Sequence, residues 1–160
     1  MSRSVLISES EDATAELGAR LGRSLQARSV VLLEGELGAG KTAFVRGLAA
    51  GLGVEDDQVS SPTFTLIQEY RGRLPLLHAD LYRITVAESD DLGLDELGLQ
   101  GVVAIEWAEK LFRRPAGAIE VLIEDLGDDR RRITITSPDA TGGLPGARSS
   151  RLAPGAYSDW

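Results

Sequence analysis

Apolar residues along this chain change their spacing several times, and each change marks an element. Val5 to Ile7 predicts a short strand, and Ser8 and Ser10 follow as candidate N-caps, with Glu11 spaced to close a capping box on Ser8. Ala13, Leu17, Leu21 and Leu25 then recur at every fourth position, the signature of one helix face. Val30 to Leu33 is a continuous apolar run of β-formers and predicts a buried strand. After a glycine-rich stretch, Ala43, Phe44, Leu48 and Leu52 restore the helical period, and Gly53 stands where a helix ends.

The second half is richer in strands. A polar loop through VEDDQVSSPTFTL leads into a predicted hairpin, Leu66 to Tyr70 and Leu74 to Ala79, turning at Arg71-Gly72-Arg73. Ser89 to Leu99 suggests one or two helical turns, Val102 to Ile105 is a second wholly apolar strand, and a short helix is expected around Ala108 to Phe112. Ala118 to Glu124 and Arg130 to Thr136 pair across Gly127-Asp128-Asp129 as a closing hairpin. From Ser137 onward the chain is rich in Pro, Gly, Ala and Ser without periodicity. Such a composition predicts a disordered tail over 138–160 behind a single domain over 1–137.

The glycine-rich stretch is where pattern becomes chemistry. Gly35 to Thr42 reads GELGAGKT and matches the phosphate-binding P-loop G-x-x-x-x-G-K-[ST] at every fixed position, between a predicted strand and a predicted helix. In that order the backbone N–H groups of Gly35, Glu36, Leu37, Gly38, Ala39, Gly40, Lys41 and Thr42 can wrap nucleotide phosphates, and the helix dipole points at them. Lys41 reaches the β- and γ-phosphates and the Thr42 hydroxyl completes a Mg²⁺ shell. Strand, loop and helix together predict an α/β fold, a P-loop NTPase-like three-layer domain with a mixed central sheet.

Composition narrows the class. The chain has 160 residues, no Cys and one His, which excludes disulfides, thiolate catalysis and multi-histidine metal cages. No run reaches the apolar length of a membrane span and no signal peptide is evident, so a cytoplasmic protein is expected. A net charge of −8 argues against broad nucleic-acid binding. There is no Asn, so the guanine-reading N-K-x-D motif cannot exist and ATP is favoured over GTP. With two Lys beside fifteen Arg, Lys41 stands out as a position that needs a compact ammonium.

A P-loop ATPase also needs a second acid near Mg²⁺, typically at a strand tip. Glu106 ends VVAIE and Asp80 ends LLHAD, and either could bind the metal while the other positions water. SSPTFTL places the hydroxyls of Ser60, Ser61, Thr63 and Thr65 around Pro62, where P-loop proteins often sense the γ-phosphate. His78 lies in an apolar strand and reads as a packed, hydrogen-bonded residue rather than a catalytic base. These residues leave three functions open: an ATPase, an assembly module in which ATP is a structural ligand, and a small-molecule kinase. The kinase is disfavoured because no lid or second substrate segment is evident.

GELGAGKT, SSPTFTL, HADLYR and IEW, in this order and at these separations, resemble the TsaE family, also called YjeE. Its members are bacterial ATPases required to make threonylcarbamoyladenosine (t6A) on tRNA. The resemblance runs from about Ala13-Thr14 and Leu17-Gly18 to the closing hairpin. It implies ATP and Mg²⁺ as cofactors, slow hydrolysis by the chain alone, and work with the TsaB and TsaD proteins. TsaD transfers the threonylcarbamoyl group to the adenosine beside the anticodon, so contact with tRNA would be indirect. The resemblance also implies residue roles. Lys41 would hold phosphates, Thr42 and Glu106 the Mg²⁺, and Asp80 would assist hydrolysis. Ser61, Pro62, Thr63 and Thr65 would form a switch-like segment, with Tyr82 and Trp107 near the site or facing a partner. Glu11 and Arg130 would touch the nucleotide from the first helix and the last hairpin. Among Arg130, Arg131 and Arg132 a one-residue slip decides which faces the site. One departure is Ala79, where the family commonly carries a larger aromatic, so packing there is expected to differ slightly.

Overall fold

In the computed structural model, residues 2–36, 38, 40–54, 67–82, 100–111 and 114–138 are described. The strands are β1 (Ser2–Ser8), β2 (Val30–Glu34), β3 (Ile67–Tyr70), β4 (Leu76–Asp80), β5 (Val102–Glu106), β6 (Ile119–Gly127) and β7 (Arg130–Ser137). The helices are α1 (Glu11–Ser24) and α2 (Lys41–Gly51), and a 3₁₀ turn covers Ala108–Lys110. The seven strands form one sheet in the order β1-β7-β6-β2-β5-β4-β3. β6, β2, β5 and β4 run parallel, β3 at one side and β7 at the other run against them, and β1, paired antiparallel to β7, runs with the central four. The carboxyl ends of β2, β4 and β5 therefore emerge along one edge, with the P-loop strand at the centre.

Burial explains the sequence patterns. β5 is buried at every position and the three inner residues of β2 are buried, so both are apolar along their length. β6 and β7 alternate instead, with Ile119, Val121, Ile123, Ile133 and Ile135 turned to the core. Two apolar clusters lie on opposite faces of the sheet. The larger joins Leu17, Leu21, Phe44 and Leu48 of the helices to Val31, Leu33, Leu76, Val102 and Ala104. The smaller joins Leu32, Leu77, Ala79, Val103 and Ile105 to Ala108 of the 3₁₀ turn. Helix pair, mixed sheet and this thinner layer make the α/β arrangement expected from the sequence. Ala79 is fully buried in the smaller cluster.

The two helices approach closely because glycines face each other along both. A Cβ placed on Gly47 would lie 1.7 Å from the carbonyl oxygen of Ala15, and one on Gly51 2.2 Å from that of Ala19. From the other helix, a Cβ on Gly18 would lie 2.2 Å from the Phe44 carbonyl oxygen and one on Gly22 2.3 Å from that of Leu48. Backbone thus packs directly on backbone, and both sequences show it as a glycine pair four residues apart.

Some boundaries differ from the sequence reading. β1 extends beyond Val5 to Ile7 because β7 pairs with it from Ser2 to Ser8. The capping box predicted on Ser8 does not form. Ser10 is the N-cap, extended and accepting from the Ala13 N–H at 3.0 Å. Ser8 is turned inward as the last strand residue, where its hydroxyl donates to the Ser10 carbonyl at 2.8 Å and lies 2.7 Å from Thr14 Oγ1. Glu11 reaches across to Arg46 of α2 at 3.1 Å instead. The helix around Ala108 is a single 3₁₀ turn. Gly53 ends α2 with φ of +87°, and Asp128 and Asp129 turn the last hairpin at φ of 54° and 64°. The expected turns over 89–99, the SSPTFTL segment and the tail from 139 lie outside the described residues.

Candidate functional site

β2 runs into the loop at Glu34, and α2 begins at Lys41. Gly38 and Gly40 have φ of +81° and +113°, a backbone region that L side chains avoid. Gly40 is the N-cap of α2 and offers no side-chain cap bond to the first turn. Those N–H groups are therefore available to an anion on the helix axis. Thr42 sits half-buried in that turn. Leu37 and Ala39 lie outside the described residues.

Alternation along β4 and β5 assembles the acids. Leu76, Val102 and Ala104 face the helices, so His78, Asp80 and Glu106, spaced by two from them, face the same way. Strand register sets Asp80 directly beside Glu106, and Glu106 beside Leu33 of the P-loop strand. Both acids thus stand next to the loop. Burial pushes the Asp80 carboxyl above the usual aspartate range and the neighbouring Glu106 adds to this, against a hydrogen bond from the Tyr82 N–H at 2.9 Å and the charge of Lys41. Glu106 is buried and hydrogen-bonded through Oε2 to His78 Nε2. His78 is therefore the packed, hydrogen-bonded residue expected from its strand.

Lys41 is nearly buried, and loss of water pulls its pKa below the ordinary lysine value, against the opposing pull of Glu106, Glu109 and Asp80. Its Nζ donates to the carbonyl oxygens of Gly35 and Glu36 and stands 3.9 Å from the centre of the Trp107 ring. Trp107 follows Glu106 in left-handed backbone, φ of 60°, which turns its ring back over the loop lysine. Such a conformation costs a bulky residue about 1–3 kcal/mol. Tyr82 packs against it with the rings tilted by 40° and 4.8 Å between their centres, and is itself partly exposed.

On the closing hairpin the geometry selects Arg131. Arg131 lies on the same side of β7 as Ile133 and Ile135, and its Nε would be 3.7 Å from a Cβ on Gly40, beside Thr14 Cγ2 at 3.8 Å and Ile123 Cγ2 at 3.9 Å. Arg130 is exposed and belongs to the other side of the strand, so of the two it is Arg131 that lies beside the loop. Arg131 is steadied by Asp125 at 3.0 Å. Similarly, Thr14 of α1 borders the loop, whereas Glu11 points towards Arg46 on α2. Strand parity counted back from Ile133 was the signal that could have selected Arg131; Thr14 carried no comparable sequence signal. Ser61, Pro62, Thr63 and Thr65 lie outside the described residues.

A glycine loop on a helix N-terminus, with two strand-end carboxylates beside it, is shared by many nucleotide-binding proteins. The family model for threonylcarbamoyl adenosine biosynthesis protein TsaE matches residues 8–133. The chain belongs to the TsaE family. A relative from Nostoc sp., "tRNA threonylcarbamoyladenosine biosynthesis protein TsaE", is 45% identical over 137 residues, covering 82% of this chain and 84% of its own. A protein of the same name from Bacillus subtilis is 50% identical over 111 residues, covering 68% and 69%. Among solved structures, Bacillus subtilis YdiB superposes with a TM-score of 0.68 at 36% identity over 86% of this chain and 87% of that one. The span matched by the TsaE model runs from the end of β1 into β7, so it includes the P-loop, both acids and Arg131.

Proposed function

We propose that this TsaE-family chain binds ATP with Mg²⁺ at the P-loop, hydrolyses it slowly alone, and serves t6A modification of tRNA together with TsaB and TsaD in the cytoplasm. The observation that carries the reading is Asp80 and Glu106 side by side at the strand ends bordering the P-loop, in a chain whose relatives are named for this pathway. Lys41 would leave its carbonyl partners for the β- and γ-phosphates, and Arg131 would add positive charge from the hairpin above Gly40. The Thr42 hydroxyl and the Glu106 carboxylate are hard oxygen donors of the kind Mg²⁺ selects. Bound there, Mg²⁺ would offset charge on the β- and γ-phosphates. Asp80, with its raised affinity for a proton, suits the residue that orients the attacking water and takes its proton. No described helix is long and apolar enough to cross a membrane.

The test is t6A formation reconstituted with TsaB, TsaD and tRNA, with ATP hydrolysis followed in parallel. Glu106→Ala and Asp80→Ala should each abolish hydrolysis and stop repeated rounds of modification. If either variant loses hydrolysis yet sustains repeated rounds, hydrolysis is not the working step and ATP acts as an assembly ligand.

A further inference from the structure

His78 is absent from the nucleotide-binding roles above, yet it is the hydrogen-bond partner of the acid assigned to the metal. The imidazole is fully buried on β4, and Glu106 on β5 is 3% exposed. Register places His78 opposite Ala104, so Glu106 is its diagonal neighbour one pleat closer to the P-loop. A carboxylate removed from water needs a hydrogen-bond partner, and Nε2 of His78 supplies it at Oε2. The other ring nitrogen identifies the donor: Nδ1 is buried with no hydrogen-bond partner among the described residues. A ring carrying its proton on Nε2 leaves only a lone pair without a partner at Nδ1. A proton on Nδ1 would instead bury an N–H with no acceptor, which costs about 1–3 kcal/mol. Nε2–H is therefore the donor to Glu106. Oε2 is held by this bond.

We infer that His78 is a positioning residue: its Nε2–H holds the Glu106 carboxylate in one orientation beside the P-loop and thereby sets the affinity for Mg²⁺ in the nucleotide complex, not the affinity for the nucleotide. This rests on the reading of Glu106 as a Mg²⁺ ligand. A hydrogen-bond partner behind a ligating carboxylate typically governs about 10–100-fold in metal affinity.

The experiment titrates ADP into the full chain by calorimetry, in EDTA and across a Mg²⁺ series, with folding checked by circular dichroism. His78→Leu should raise the Mg²⁺ midpoint about 10–100-fold and leave ADP affinity in EDTA unchanged. His78→Gln, whose amide N–H reaches about where Nε2 stands, should restore most of the loss. In a Glu106→Gln background, His78→Leu should add nothing. A folded His78→Leu variant with the wild-type midpoint overturns the inference. Should His78→Leu fail to fold, His78→Gln and the shorter His78→Asn decide: a higher midpoint for Asn supports it and equal midpoints overturn it. A wild-type chain whose ADP binding ignores Mg²⁺ removes the metal role of Glu106 itself, and the inference with it.

Discussion

Gly47→Ala should destabilise this protein although alanine is the better helix former. In an exposed helix position the exchange would gain about 1 kcal/mol. At Gly47 the added methyl would stand 1.7 Å from the Ala15 carbonyl oxygen, where contacts under 3.0 Å essentially never occur, so α1 and α2 must separate by more than 1 Å. The obstacle is helical backbone, which cannot rotate aside as a side chain can. A gap of that size forfeits more than about half of each contact along the seam formed by Leu17, Leu21, Phe44 and Leu48. Overpacking of this kind costs about 1–3 kcal/mol, and a backbone obstacle puts Gly47 at the upper end. Net of the propensity gain, stability falls by about 2 kcal/mol, or about 4–8 °C in Tm. Thermal unfolding followed by circular dichroism measures this. Ala50→Gly, on the exposed side of the same helix, calibrates the propensity term and should cost about 1 kcal/mol by itself. A Tm for Gly47→Ala at or above wild type would refute the backbone-contact argument.

Four further outcomes follow from the same structure. Arg131→Ala should weaken ADP binding about tenfold, the scale of one charge-assisted hydrogen bond, while Arg130→Ala leaves it nearly unchanged; equal effects in calorimetry would contradict the strand parity. Asp80→Asn should abolish hydrolysis yet raise the Tm at neutral pH. A carboxyl with a raised folded pKa binds its proton more tightly folded than unfolded, so it lowers stability as pH rises through the window just above the usual aspartate range. The Asn variant's advantage should therefore vanish below that window, and a pH-independent gain in Tm would argue against burial as its cause. Ser10→Ala removes the acceptor for the Ala13 N–H and should cost about 1 kcal/mol in urea unfolding. In a Trp160→Phe background, ATP should change the emission of Trp107 as Lys41 leaves its ring for the phosphates, and an unchanged spectrum would show that the lysine does not move.

Much of the framework was legible because its signals are local. A continuous apolar run identifies β2 or β5 as buried on both faces, and GELGAGKT carries its own mechanism. The acids could be read as strand-end residues, since VVAIE and LLHAD each stop being apolar where the strand leaves the core. Long-range pairing was harder to read. Only the β4–β5 register reveals that Asp80 and Glu106 are neighbours, and only the diagonal across it brings His78 to Glu106. Ser8 and Ser10 were both plausible caps; extension of β1 through Ser8 turned that hydroxyl inward and left the cap to Ser10. The three consecutive arginines carry almost no sequence contrast. Ile133 and Ile135 decide among them, because their inward side is also the side of Arg131. The glycine pairs of α1 and α2 had a spacing signal, but small residues in a helix also read as poor helix formers, so a helix face counted on leucines alone missed the close approach.

Pairing of Ser2 with Ser137 has a consequence for how this chain can be rebuilt. β7 starts beside the P-loop and β1 returns there at Ser8, so the ends of the paired strands, Ser2 and Ser137, meet at the opposite rim of the sheet. A short linker between them would close the described body into a ring without crossing the nucleotide loop. That ring could then be reopened at Asp128-Asp129, where the chain turns in solvent and no buried side chain is interrupted. Such a circular permutant would carry its new ends on the P-loop side, next to Arg131, and a reporter fused there would sit beside the nucleotide loop.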